Sequence, residues 1–144
     1  MRHKQSGFTM MEIIVVIAVL SILSAIAVPK FSDNSAAETR TAAEVVVADI
    51  RQAQARAITQ NNSHNVAFNL NGSGYTIVDD SGTVKSVTLG VGDYSGFEDV
   101  TLTGVSFAFD RTGAPTVGQT ITVTSGANSL GVVVRPQTGR AGIS

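Results

Sequence analysis

The sequence contains no cysteine and no tryptophan. Without cysteine there can be no disulfide staple, no thiolate metal site and no cysteine nucleophile. Histidine occurs only twice, as His3 and His64. An excess of charge of one sign is also missing. Ten basic residues face eleven acidic ones, for a net charge of −1, so nothing draws the whole chain toward nucleic acid or anionic lipid. At 144 residues there is room for one compact domain plus an anchor, but not for two full domains.

What is present is unevenly distributed. Residues 1–7 are short and basic, with Arg2 and Lys4, which favours a cytoplasmic N-terminus by the positive-inside rule. From Phe8 to Val28 the chain is apolar almost without interruption, close to the roughly 20 residues a helix needs to cross a bilayer. Pro29 and Lys30 end the run. Pro29 lacks an N–H and disfavours helix at Val28, which predicts a kink there.

Glu12 interrupts the apolar run. A carboxylate at the bilayer centre costs about 2.5–3.5 kcal/mol on insertion scales, so its presence needs a cause. One account is a shallow position that reaches interfacial water. A second depends on cleavage after Gly7, which would give Phe8 a free α-amine one helical turn from Glu12. Glu12 would then pair with that amine, or with the amine of a neighbouring subunit. A rival account reads the whole segment as a secretory signal, with Ala25-Ile26-Ala27 as the cleavage site and release after Ala27. Against it stand the charge of Glu12 and an apolar run longer than the usual 7–15 residues.

Beyond Pro29 a helical pattern resumes. Ala43, Val46, Ile50, Ala53 and Ala57 mark one face, while Arg40, Glu44, Arg51 and Gln54 lie on another. The helix should end near Asn61-Asn62. After that, short Val/Ile/Phe/Thr/Tyr runs alternate with turn clusters. Strands are expected at residues 65–70, 75–79, 84–89, 100–103, 105–109, 120–124 and 131–135. Val66, Phe68 and Leu70, and likewise Val105, Phe107 and Phe109, should face the helix. The fold class is α+β, a long N-terminal helix packed on a C-terminal antiparallel sheet. Its segments are a leader (1–7), a transmembrane helix (8–29), its amphipathic continuation (30–62) and a β domain (63–144).

Gly7-Phe8-Thr9-Met10-Met11-Glu12, abutting a membrane-length apolar run, resembles the class III signal of type IV pilins and type II secretion pseudopilins. Met10 stands where the commonest form has leucine, a volume-conserving exchange. The resemblance implies a prepilin peptidase that cuts after Gly7 and N-methylates Phe8, an assembly role for Glu12 with the Phe8 amine, and a helix kink at Pro29. Residues 49–58 are similar to an "L-x-x-A-R-x-x-A" helix ending. Residues 109–113 resemble an "F-x-x-x-G" turn, and residues 133–140 a closing "V-x-x-x-x-G-R" hairpin. Together these are identified with the H-type minor pseudopilins of the GspH/FimT group, although a tryptophan common in that group's β domain is absent.

The resemblance implies a structural filament subunit rather than an enzyme, without a cofactor. Its partners would be sister pilins or pseudopilins, prepilin peptidase, inner-membrane lipid and the inner-membrane assembly platform. The N-terminus would be cytoplasmic and the C-terminal domain periplasmic. A second reading is a DNA-binding minor pilin for transformation, with Arg135 and Arg140 as contacts. Two cations give only a small phosphate-binding term at physiological salt, so nucleic acid is the lesser partner. No catalytic constellation is visible, and His64 has no paired nucleophile. Asp93, Glu98 and Asp99 flank the Gly-rich loop Gly90–Gly96. Their spacing matches no defined calcium loop, which favours a solvated acidic loop over a metal site.

Overall fold

Alanine and valine recurring at three- and four-residue steps build the longest helix, and the rest of the fold is arranged on it. The computed structural model describes residues 8–31, 34–60 and 66–144, with side chains for 8–24, 34–60 and 67–144. Gly7, His3 and His64 lie outside the described residues. The chain divides into two compact units, one up to Asn34 and the other from Ser35 to Ser144.

The first unit contains helix α1, Met10–Phe31. Pro29 falls in its last turn, where the missing N–H removes a ladder bond just before the helix ends. Among the described residues no helix is long and apolar enough to cross a membrane. The described side chains of α1 stop at Ser24, whereas the apolar run continues to Val28.

The second unit begins with α2, Ser35–Gln60. The expected face of Ala43, Val46, Ile50, Ala53 and Ala57 is buried, and Thr39, Ala42, Val47 and Asp49 widen it. Two four-stranded antiparallel sheets close over this face. One is ordered β3-β2-β1-β5 and consists of Gly82–Thr88, Gly74–Asp79, Val66–Leu70 and Phe107–Phe109. The other is ordered β4-β6-β7-β8 and consists of Val100–Thr103, Gln119–Ser125, Asn128–Val134 and Ala141–Ile143. A 3₁₀ segment, Gly92–Phe97, leads into β4.

The small side chains of α2 leave room that the strands fill with large ones. Phe68 stacks on Tyr75 at 4.6 Å and on Phe107 at 5.4 Å, and Phe109 meets Phe107 edge-on. From the other sheet Ile121, Val123, Val132 and Val134 point inward at alternate positions, as the period of a half-buried strand requires.

The antiparallel β domain is as expected and consists of these two sheets. Two other expectations are corrected. Val105 does not face the helix: β5 starts only at Phe107, and Val105 is 66% exposed, its N–H bonded to Gln119 Oε1 at 2.9 Å. Finally, the chain returns to the sheet once more as β8, which pairs Val132 with Ile143 and Val134 with Ala141.

Candidate functional site: the start of the apolar helix and the turns on the second one

At the start of α1, Phe8 and Thr9 precede the helix. The Glu12 N–H donates to the Thr9 hydroxyl at 3.3 Å and to the Thr9 carbonyl at 3.1 Å. Thr9-Met10-Met11-Glu12 therefore has the spacing of a capping box, in which a threonine satisfies an otherwise orphaned helix N–H. Phe8 and Ile13 occupy the flanking positions of a hydrophobic staple. Together with Glu12, Val16 and Ile17 they line a shallow groove of about 270 Å³. Among the described residues the Glu12 carboxylate has no hydrogen-bond or ion-pair partner.

The rest of the described helix is apolar on every side. Its large side chains are about half exposed or more, from Val19 at 49% to Met10 at 84%. Such a helix has no polar face to give to water and requires an apolar surrounding. Its two described serines fit that requirement. Ser21 and Ser24 return their hydroxyls to the carbonyls of Ile17 and Leu20 at 2.7 and 2.8 Å, so no side-chain donor faces outward.

In the second unit, residues from the three weak motifs meet at the C-terminal half of α2. Gln54 takes the place of the motif's arginine. Its amide donates to the carbonyls of Gly113 at 2.8 Å and Thr138 at 2.6 Å, tying together two turns 25 residues apart in sequence. Both turns need glycine. A Cβ on Gly113 would come within 2.7 Å of Ile58. A Cβ on Gly139 would meet the Gly113 carbonyl at 2.3 Å and the Gln54 amide at 2.4 Å, and both residues have positive φ. Asp110 shapes the first turn. Its Oδ1 accepts from the Thr112 hydroxyl, the Thr112 N–H and the Ala114 N–H, and these bonds, that from the Thr112 hydroxyl foremost, hold its pKa below the usual carboxylate range.

A buried polar cluster links α2 to the first sheet. The Tyr75 hydroxyl donates to Asp49 Oδ2 at 2.5 Å and Lys85 Nζ to Asp49 Oδ1 at 2.6 Å. Burial first, and the Asp49 contact second, push the Tyr75 hydroxyl's pKa far up. Burial pulls Lys85 down, but the bonds and charges of Asp49 and Tyr94 outweigh it and leave the ammonium above its ordinary value. This cluster was not foreseen. The available signal was a carboxylate at position 49, inside the buried stripe between Val46 and Ala53. At the end of the helix, Asp79 accepts from Ser81 and from Gln60 and lies 3.8 Å from Arg56. These contacts, Ser81 first, lower its pKa.

Arg135 and Arg140 are brought together with Arg51, which the sequence reading had placed only on a helix face. The three line an open groove of about 580 Å³ along β8. Asp93, Glu98 and Asp99 are all exposed, and among the described residues no group of three His, Asp or Glu side chains is placed to hold a metal ion.

Comparison with known proteins agrees with this geometry. Residues 2–28 match the prokaryotic N-terminal methylation motif, and residues 42–138 match the family described as "Type II transport protein GspH". The first match runs through Ala27 without ending there, which disfavours release at that point. Neither match favours a DNA receptor. Two fimbrial proteins of Pseudomonas aeruginosa are each 29% identical, across 69% of this chain and 77% of theirs. The crystal structure of the type IV minor pilin FimU of the same organism shares the fold. Its TM-score is 0.55 at 16% identity, over 73% of this chain and 91% of that one. The N-terminal methylation motif, the helix laid on antiparallel sheet and the match across most of the chain place it in the GspH family, as a pilin-type minor subunit of a type IV pilus or type II secretion machine.

Proposed function

We propose that the chain is a structural subunit whose assembly depends on a charge pair made by processing. Prepilin peptidase cuts after Gly7 and methylates Phe8, so both steps are done to this chain and not by it. Before assembly, α1 holds the subunit as a single span in the inner membrane, with the β domain on the periplasmic side. The helix then leaves lipid for a bundle of sister helices on the assembly platform.

The observation that carries this reading is the Glu12 carboxylate at the start of an apolar helix, without a partner among the described residues. Thr9 uses the Glu12 backbone N–H, not its carboxylate, so the carboxylate is left for an external cation. The Phe8 amine of a neighbouring subunit supplies one without adding any charge that must itself be buried alone. Small residues along the helix, Ala18, Ser21 and Ser24, permit close approach of sister helices.

The test is a pair of full-length variants. Gly7→Leu should leave a precursor of unchanged mass. Glu12→Ala should be cut normally yet be missing from the filament fraction. Normal assembly of Glu12→Ala would sink the pairing role.

A further inference from the structure

The second sheet stops one strand short of covering α2. In the order β4-β6-β7-β8 the last strand is Ala141–Ile143, with three residues. Val132 lies opposite Ile143 in this pair, and Val134 opposite Ala141. All four side chains belong to the inner side of the sheet. Val132, Val134 and Ala141 are at most 1% exposed, yet Ile143 is 42% exposed. The apolar inner layer is therefore open at this edge. Gly142, Ile143 and the flank of α2, with Glu44, Val47, Ala48 and Arg51, line a groove of about 290 Å³ there.

The backbone of β8 is open on the same side. The Arg135 N–H donates to the Arg140 carbonyl at 3.2 Å, and the Ser144 N–H to the Gly131 carbonyl at 2.9 Å. Alternation along an antiparallel pair then sets Gly142 to bond with Val133. It turns the N–H and C=O groups of Ala141 and Ile143 away from β7. Among the described residues one group is bonded to that outward row. The Arg51 guanidinium donates to the Ala141 carbonyl at 3.0 Å, where the N–H of a further strand would stand. A helix side chain thus takes one rung of a ladder that has no strand on its other rungs.

The geometry points to strand addition at β8, in which an extended segment of a different, sister pilin enters the groove between β8 and α2 as a fifth strand. The contact rests on the filament reading above and names a surface for its partner. Backbone bonds to Ala141 and Ile143 give affinity, and side chains at alternate positions give specificity. The inward side chain of the segment covers Ile143 and Ala48, so it is apolar. Arg51 and Arg140 border the adjoining groove, and Glu44 is paired with Arg40 at 3.3 Å, so the segment is acidic beside them. A strand N–H on the Ala141 carbonyl frees the Arg51 guanidinium for that carboxylate. A three-residue edge offers few bonds. The contact therefore selects which subunit lies alongside, while the apolar helices hold the assembly. One acceptor edge takes one donor, so the contact ends at a single partner, as suits a minor subunit.

The test places a benzophenone amino acid at position 48 of the full chain, in cells that make the whole set of pilins. After irradiation, mass spectrometry should find one sister pilin joined through a single extended segment. The same label at Thr101, exposed on the opposite edge strand β4, should not give that product. Ile143→Pro removes an outward N–H that β7 does not use, so the native ladder stays intact. It should abolish the cross-link without changing the unfolding midpoint, and Ile143→Val should retain the cross-link. A wild-type chain found in the filament fraction, with no cross-link from position 48 to a sister pilin, overturns strand addition and leaves the filament reading standing. Products only with lipid, nucleic acid or another copy of this chain overturn it too, as does a cross-link that survives in folded Ile143→Pro. Should the proline variant fail to fold, the product from position 48 decides alone. A wild-type chain absent from the filament fraction instead overturns the filament reading itself.

Discussion

Lys85 Nζ lies 2.6 Å from Oδ1 of Asp49, on a carboxylate that sits inside the buried face of α2 and also accepts the Tyr75 hydroxyl through its other oxygen. One acidic side chain thus fastens the helix to two neighbouring strands. Asp49→Ala leaves a fully buried hydroxyl without an acceptor and Lys85 without its counter-charge. The expected loss is about 2–4 kcal/mol in urea unfolding of the full chain. Tyr75→Phe removes the hydroxyl together with its need and should cost clearly less. Equal losses would show that the cluster does not act through Asp49.

The same cluster sets the alkaline limit of stability. Tyr75 and Lys85 both hold their protons more tightly in the fold than in the unfolded chain. The folded state then binds more protons once pH passes the ordinary values near 10. Stability from these groups is complete below that point and is lost as pH rises further. Asp79 and Asp110 act in the opposite direction. Their carboxyls are held low, so their contribution is present above the ordinary value near 4 and is lost as pH falls through the folded values. Thermal unfolding followed across pH should show a plateau between these limits. Asp49→Asn should weaken the alkaline arm by removing the Asp49 share of the Lys85 and Tyr75 shifts, while the share that comes from burial of Tyr75 stays.

Gly139→Ala should be among the most damaging single-methyl additions. The new Cβ would press on the Gly113 carbonyl and the Gln54 amide, at a backbone angle that alanine rarely adopts. About 2–4 kcal/mol is expected from the strain and the lost clamp together. Gln54→Ala, which only removes the clamp, should cost about 1–2 kcal/mol. Chemical denaturation of both variants checks the order.

Thr9→Ala removes the cap of α1. The amides of Glu12 and Ile13 should exchange with solvent faster, and the helix end should lose about 0.5–2 kcal/mol. Thr9→Ser keeps the hydroxyl and should restore protection. If alanine and serine behave alike, the hydroxyl does not hold the helix start.

The elements were legible where pattern and packing ask for the same thing. The α2 stripe, the β1–β2 and β2–β3 hairpins and the alternation in β6 and β7 all show a period that burial also requires. Legibility failed where a position is decided by a distant partner. Ala141–Ile143 has three residues and a central glycine, so only its pairing with β7 makes it a strand. Val105 has the alternation of an inward residue, but the Gln119 side chain holds its backbone in a loop instead; its amide and the Val105 carbonyl are bonded as well. Asp49 reads as a surface acid because its two partners come from residues 26 and 36 positions further on. That Gln54 bridges the turns of residues 109–113 and 133–140 could not be read from the helix pattern.

On the proposed cut after Gly7, the threonine that caps α1 stays with the mature chain. Phe8 and Thr9 are outside the helix, and the first capped N–H is that of Glu12. The proposed cut after Gly7 would leave the Thr9 cap and the first turn of α1 in the mature chain. On the proposed reading, what processing adds for assembly is a new ammonium group beside a helix start that Thr9 already caps.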